Sequence, residues 1–528
     1  MTAPTTRPTT TIPGRRTGRL ATAALLLSGS FVVSRILGVL RNSVIIYSFG
    51  QGRATDAYFA AFNIPDTMFT LVSGAALATA FVPTFAGLLQ RDDADVAWNV
   101  ASTVLNTVFL AFAALAAVAF VFAPLLMTAF VSGFTPAERD LTTELTRIML
   151  LQPMFLGLAA IISSILQTYH RFTPTAVAPL VYNLAIIGGA LAFRSHGISA
   201  LAWSVVVGAV LYFATQLPSL ARNQRFRFHI DWHSVAAREI LRLLGPRVVG
   251  LAAFRIMLLI TLVLASGLPT GSFTAINLAW MLIQFPIGAL GTSAATAIFP
   301  SLSVLSAGEN FAAVRRTLNR SLRLVLFLSV PATVGLIVLR RPIVNLLYNH
   351  GSFTPHNTEQ TAFALLFYAL AIPPLAAIEV LPRVFYAMKD TRTPVRIAIG
   401  AVALDAVLSI ALVRILPRSS GQGGLALATA VASLVQATWL AFALEDRLDG
   451  IGRSNLLYTL RDATLGSAAM GFALYVALDP LTAIFAQHGV GALVTVAVEL
   501  LLGLATFGLV TFLLGAPELW QVRGFLRR

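Results

Sequence analysis

Apolar residues gather along the chain in blocks long enough, at 1.5 Å of rise per helical residue, to cross the ~30 Å hydrocarbon core of a bilayer. Six blocks lie near residues 22–48, 57–88, 97–130, 142–168, 174–194 and 198–218, and six more near 248–268, 273–302, 322–348, 358–388, 394–416 and 423–444. A last pair lies near 459–480 and 489–515. The pattern predicts an all-α polytopic membrane protein of about 14 transmembrane helices. Between the two sets of six, RNQRFRFHIDWHSVAAREILRLLGPR places Ile240, Leu241 and Leu244 opposite Arg238, Glu239 and Arg242 on a helix, the pattern of an interfacial amphipathic linker. The expected organisation is a disordered tail at 1–21, an N-lobe at 22–218, the linker at 219–247, a C-lobe at 248–444, a helical pair at 445–515 and a basic tail at 516–528.

Composition agrees with lipid as the solvent. Hydrophobic residues make up 57% of the chain and charged residues only 11%, against roughly 25% in a soluble domain. The net charge of +15 raises nucleic acid as a partner, but the basic residues sit in short loops between apolar blocks rather than on one soluble face. They read as topology. Loops on the side of the amino terminus hold most of them, including the run from Arg222 to Arg247, the group Arg315, Arg316, Arg320 and Arg323, and the tail Arg523, Arg527 and Arg528. The alternate loops hold only Arg53, Arg139, Arg194, Arg340, Arg341, Arg414 and Arg418, so both termini are expected in the cytoplasm. Without cysteine there are no disulfides, thiolate metal sites or cysteine nucleophiles. His229 and His233 have the spacing of a metal pair, but no third ligand supports one, and surface histidines explain them. No nucleotide-binding loop or nucleophile motif points to an enzyme.

The chain also repeats itself. LQPMFLGLAAIISSILQTYHRFTPTAVAP, around Pro153 and Pro174, resembles AIPPLAAIEVLPRVFYAMKDTRTPVRIAI, around Pro373 and Pro394, at an offset of 220 residues. Arg35 and Arg255 stand at the same offset, and ATAFVPTF recurs as ATAIFPSL 217 residues later. Chance recurrence of proline and small residues would not keep three matches in one order at nearly one spacing. Six spans separate each pair, so the halves enter from the same side and form parallel repeats related by an axis along the membrane normal.

Two stretches carry a family resemblance. SRILGVLRNSVIIYSFGQGRATDAYFAAFNIPDTMF, with GAALATAFVPTFAGLL after it, resembles the first two helices of the MurJ/MviN family, the lipid II flippases of peptidoglycan synthesis; QFPIGALGTSAATAIFPSLS and YNHGSFTP resemble its eighth and ninth. The likeness runs from about residue 22 to 515. It implies the multidrug/oligosaccharidyl-lipid/polysaccharide exporter fold, with two six-helix lobes in a V around a central cavity and a groove for a polyprenyl tail on helices 13 and 14. It also implies residence in the bacterial cytoplasmic membrane, a polyprenyl-pyrophosphate-linked glycan as substrate, cell-wall synthesis enzymes as partners, and no organic cofactor, with sodium or the membrane potential as driving force. Arg35 and Arg41 in the first span, with Arg255, are the expected pyrophosphate ligands, and Ser34 and Asp56 complete the expected substrate site. A guanidinium offers a planar fork to two phosphate oxygens, and a charge at mid-membrane costs ~2.5–3.5 kcal/mol, which disfavours a lipid-facing placement. A salt bridge from these arginines to Asp56 or Asp66 is the structural alternative.

Departures from the family narrow the expectation. Phe69 and Gly74 stand where members often carry Arg and Glu, Asn42 replaces a common acid, and Trp280, Met281 and Gln284 replace Asp-Arg and a following Glu. Arg255, in register with Arg35, is expected to supply the charge missing at Met281. For the family's sodium site, Asp405 and Ser409 lie one turn apart on the eleventh span, with Thr261 and Thr429 to complete an oxygen-only set suited to a hard cation. A protonated or paired Asp405 is the alternative. Glu379 and Arg383, one turn apart, are expected to pair, and Glu499 has no evident partner. Against the flippase stand an exporter of another polyprenyl-linked saccharide, a multidrug antiporter, which would not need helices 13 and 14, and a non-transporting scaffold for cell-wall enzymes.

Overall fold

Thr-Pro pairs begin several helices of this chain, and Asn63 marks the break in its second span. The computed structural model describes residues 14–73, 76–91, 93–221, 226, 229–231, 234, 238, 255, 258–484 and 490–526. The first half comprises α1 (Gly14–Phe49), α2 (Arg53–Ala61), α3 (Asn63–Ser73), α4 (Ala76–Gln90), α5 (Ala94–Phe130), α6 (Pro136–Met149), α7 (Gln152–Thr168), α8 (Thr173–Ala192) and α9 (Ile198–Ala221). After helical residues 258–266 come α10 (Ser272–Pro286), a π-helical turn (Ile287–Thr292), α11 (Ser293–Ala307), α12 (Phe311–Val338), α13 (Arg340–Tyr348), α14 (Pro355–Ala369), α15 (Ile372–Ala387), α16 (Arg392–Ile415) and α17 (Gly421–Glu445). The last elements are α18 (Arg453–Ile484), α19 (Val490–Leu513) and α20 (Pro517–Leu526). No strand occurs among the described residues.

Local chemistry explains several boundaries. Thr135 caps α6 in a reciprocal box with Glu138, and Thr354 caps α14 by accepting from the Asn357 amide. In both helices proline takes the first position, where its missing N–H is no loss. The second span breaks at Phe62, where Asn63 Nδ2 turns back onto the carbonyls of Phe59 (3.3 Å) and Ala60 (3.1 Å). Pro286 opens the π turn, which brings Gly291 so close to Ala376 that a Cβ would lie 2.8 Å from its Cα.

Among the described residues, ten helical stretches are each long and apolar enough to cross a membrane, and the bent pair α14–α15 makes an eleventh. The chain is a multi-pass membrane protein. The other expected spans fall on the broken α2–α4, on 248–268, largely outside the described residues, and on α18, which carries Arg461 and Asp462, so fourteen crossings remain compatible with the structure. The repeat has a structural counterpart: the turns α7–α8 and α15–α16 both pass through a left-handed residue, His170 (φ 56°) and Lys389 (φ 62°). Residues 1–13, most of the linker and 527–528 lie outside the described residues. Of the linker, the His229 carbonyl accepts from Asn106 (2.9 Å) and the Asp231 amide donates to Thr103 (3.1 Å), so these residues lie along α5.

Each lobe has its own core, around Phe81, Phe85, Trp98 and Phe112 in the first and Leu318, Leu381, Phe385 and Leu440 in the second. The helices α18 and α19 attach to α12 through Phe327, Met470, Leu474 and Phe507. One cluster spans both lobes, joining Ile46, Met127 and Phe134 to Ile276, Tyr348 and Tyr368, at the end of the bundle opposite the termini. There Gly133 meets the backbone of Gly267, where an added Cβ would lie 2.5 Å from Cα. Gly133→Ala is therefore expected to force the lobes apart at a cost of about 1–3 kcal/mol. Gly87→Ala, with nothing within 4 Å, should be neutral. Thermal unfolding of the two purified variants checks the contrast; equal midpoints would mean that the contact tolerates displacement.

Candidate substrate cavity and its closed end

A cavity of about 630 Å³ lies between the lobes. From the first lobe, Arg35, Arg41, Asn42, Asn63, Asp66, Phe69 and Tyr182 line it; from the second, Arg255, Asn277, Trp280, Met281 and Gln284. Arg41 is steadied by Asn183 Oδ1 and Asn42 Oδ1, each at 3.3 Å, and Asn42 Nδ2 reaches Met281 Sδ across the lobes at 3.1 Å. Arg255 donates to the hydroxyl of Thr70, while its Nε is buried without a partner. Asp66 faces Arg255 and Arg41 from the same cavity, so the acid envisaged as their structural partner shares the site with them. The three arginines thus come from both halves of the repeat and meet in one hollow. The lining also gathers the residues that depart from the family: Asn42, Phe69, Trp280, Met281 and Gln284 all face it. Gly74 lies outside the described residues.

Two expected members of the substrate site are elsewhere. Ser34, the neighbour of Arg35, is not among the cavity's lining residues; at 100° per residue the two side chains point to different sectors of the helix. Asp56 is buried at the end opposite the termini and serves as the cap of a helix in the other lobe. It accepts from the amides of Gly271 (2.6 Å) and Thr274 (2.8 Å) and from the Thr274 hydroxyl (2.6 Å). A carboxylate suits the N-terminus of α10, where free amides and the helix dipole favour negative charge. Gly271 has φ +87°, which favours glycine, and an added Cβ would meet Gln360 at 3.0 Å.

Gln51 extends this clasp. Its Nε2 donates to the Gly271 carbonyl and to Gln360 Oε1, each at 3.0 Å, and its Oε1 accepts from Thr361 at 3.1 Å. The amides of Gly133 and Ser352 add bonds to Ser266 Oγ (3.1 Å) and the Tyr47 carbonyl (3.3 Å). The lobes are fastened at this end by hydrogen bonds that a rigid-body rotation can break without unfolding a helix.

Of the expected cation residues, two share a second, smaller hollow. Thr261 and Thr429 line a hollow of about 60 Å³ with Asn63, Asn277 and Tyr368. Asp405 and Ser409 are buried on one face of α16, the Asp405 carboxylate faces Thr429, and its Oδ1 is buried without a hydrogen bond. This hollow shares Asn63, Leu258, Asn277 and Trp280 with the arginine cavity, so the two adjoin. Arg383 stacks over Phe299 at 5.7 Å in place of the ion pair expected with Glu379. Glu499 is fully buried in α19, and neither carboxylate oxygen has a hydrogen bond among the described residues.

The sequence profile of the family described as "Lipid II flippase MurJ" matches residues 45–498. A "Lipid II flippase MurJ" from Burkholderia cenocepacia is 30% identical over 436 residues, 80% of this chain and 84% of that protein. A "Probable lipid II flippase MurJ" from Rhizobium tropici is 29% identical over 526 residues, 96% of each. Among solved structures, "Lipid II flippase MurJ, inward closed conformation" superposes with a TM-score of 0.76 at 25% identity, covering 92% of this chain and 98% of that one. An inward-facing multidrug transporter of the MATE family shares the fold at a TM-score of 0.66 and 15% identity, covering 81% of this chain and 99% of its own.

The clasp makes its own prediction. Ser272 is fully buried beside it, so a cysteine there should label slowly. Asp56→Ala removes charge-assisted bonds worth about 1.5–3 kcal/mol each, and labelling of Ser272→Cys should rise roughly ten- to hundredfold. Unchanged labelling in the purified double variant would show that Asp56 does not hold this end shut.

Proposed function

The chain belongs to the MurJ family of lipid II flippases, and on that premise we propose that it carries lipid II from the cytoplasmic to the outer leaflet by alternating access. It is a transporter, not an enzyme. The observation that carries the reading is the cavity itself, in which arginines from both lobes meet between halves clasped at one end by hydrogen bonds that a rotation can break. Lipid II is a polyprenyl pyrophosphate bearing a disaccharide pentapeptide, and its head cannot enter hydrocarbon unaided. Arg35, Arg41 and Arg255 grip the pyrophosphate, each able to present two parallel donors, while the apolar tail stays in lipid on α18 and α19. Arg255 supplies the charge absent at Met281.

The basic loops favour cytoplasmic termini in the bacterial inner membrane. With that orientation the Asp56 clasp closes the outer end, and the similar solved flippase carries the description inward closed. Head-group binding followed by rocking of the lobes breaks the clasp and opens the cavity outward, where cell-wall synthesis enzymes are the expected consumers.

Asp405, Thr429 and Thr261, with Ser409 one turn from Asp405, fit a sodium ion, because the donors are all oxygen and the buried Asp405 Oδ1 lacks a partner. When bound, the ion supplies a positive charge beside the cavity. A second reading, export of another polyprenyl-linked saccharide, draws on the neutral lining at Phe69, Met281 and Gln284.

Complementation tests the flippase. In a bacterium depleted of its own lipid II flippase, this chain should restore growth, and single Arg→Ala changes at 35, 41 or 255 should lower transport by about one to two decades. Arg255→Lys should fall between, since charge survives without the fork. Full rescue by Arg35→Ala with Arg255→Ala, at matched membrane abundance, would favour a scaffold. For the cation, sodium but not potassium chloride should raise the unfolding midpoint of the purified protein, and Asp405→Asn should abolish that rise. An equal response in the variant removes sodium from the site.

A further inference from the structure

A second polar hollow, of about 700 Å³, lies at the end of the second half that carries the C-terminus. It opens between the start of α12, residues 446–452, the first turn of α18 and α20, and Arg315, Arg316, Arg320, Arg323 and Arg453 all line it. Arg316, Arg320 and Arg323 fall at i, i+4 and i+7, which brings three guanidinium groups to one face of α12. Like charges at this spacing disfavour a helix.

Groups of the chain itself meet only part of this charge. Arg323 pairs with the fully buried Glu518 at 2.6 Å, an anchor that Thr459 shares at 2.5 Å and that docks α20 as one wall of the hollow. Arg453 pairs with Glu445. Arg315 donates to the Asp449 carbonyl at 2.9 Å, and Arg320 to the Gln521 amide oxygen at 3.3 Å. Arg316 has no ion pair or hydrogen bond among the described residues. A bias of basic loops towards one side of a membrane does not require them to converge on a concavity.

Exposed aromatic side chains set the depth of the hollow. Trp520, next to Gln521, is 57% exposed, and Tyr458, one turn beyond Asn455, is 59% exposed. Such rings settle at the boundary between headgroups and acyl chains. A phosphate held by these arginines therefore sits level with lipid headgroups, which favours a lipid over a soluble phosphate compound.

We propose that this hollow binds the phosphate-bearing headgroup of an anionic phospholipid of the cytoplasmic leaflet. The assignment of the leaflet rests on the orientation proposed above. Arg316 and the Arg320 nitrogens not bonded to Gln521 provide the donors, Arg323 is held in place by Glu518, and basic pockets between spanning helices suit such headgroups.

The test uses the purified full chain, phosphatidylglycerol and phosphatidylcholine. The wild type should retain phosphatidylglycerol through delipidation and unfold at a higher temperature in its presence than in phosphatidylcholine. Arg316→Ala with Arg320→Ala should lower phosphatidylglycerol affinity at least tenfold, the equivalent of one lost charge-assisted contact, and leave phosphatidylcholine unchanged. Arg316→Lys with Arg320→Lys should retain part of the binding. Equal retention by wild type and the Ala pair overturns the proposal. So does full displacement of the lipid by inorganic pyrophosphate, which would assign the hollow to a soluble anion. Binding is read without transport, so failure here leaves the flippase reading untouched.

Discussion

The Asp56 carboxylate, buried under the first turn of α10, is the contact on which the arrangement of the two lobes depends. It joins residues 215 and 218 positions away and places a charge of one lobe on the helix dipole of the other. The glycine pair 133 and 267 allows the backbones to meet, and Gln51 ties in Gln360. The consequence is mechanical. A bundle fastened at one end leaves a hollow further in, and polar side chains too costly for lipid can be housed there.

The same constraint sorts the intramembrane charges. Arg35, Arg41, Asp66 and Arg255 share the cavity, Asp405 lies beside Thr429 next to it, and Glu499 is buried apart from both, in α19. Asn63 and Asn277 line both the arginine cavity and the small oxygen-rich hollow. An ion held between Asp405 and Thr429 would therefore border a hollow that shares two amide side chains with the cavity.

Much of this was legible in the sequence because periodicity and repetition are local records. Block lengths give the spans, and the register of Arg35 with Arg255 anticipates that the two halves present arginines to one hollow. The role of Asp56 was not legible. An acid just before a span reads equally as a ligand or a cap, and its partners, Gly271 and Thr274, are ordinary turn and helix residues with no motif. Nor did spacing anticipate the fate of Arg383: its guanidinium reaches the Phe299 ring on α11, a contact between helices that an i, i+4 rule cannot foresee. The basic hollow escaped for the same reason. Arg453 and Gln521 lie far from Arg316 in sequence, and loop charge alone read as topology.

The energies of the clasp and of the cavity are of one scale, which is what a switch requires. Three bonds to a buried carboxylate, at about 1.5–3 kcal/mol each, hold the end opposite the termini shut. Moving a two-state equilibrium from 1:99 to 99:1 takes about 5.5 kcal/mol of differential affinity. A pyrophosphate held by two or three arginines can provide that difference only if its contacts improve when the lobes rotate, because a ligand bound equally in both states shifts nothing. The placement of the arginines allows for this condition. Arg35 and Arg41 ride on one lobe and Arg255 on the other, so rotation changes the distance between them, whereas three arginines on one lobe would grip the head group identically throughout the cycle.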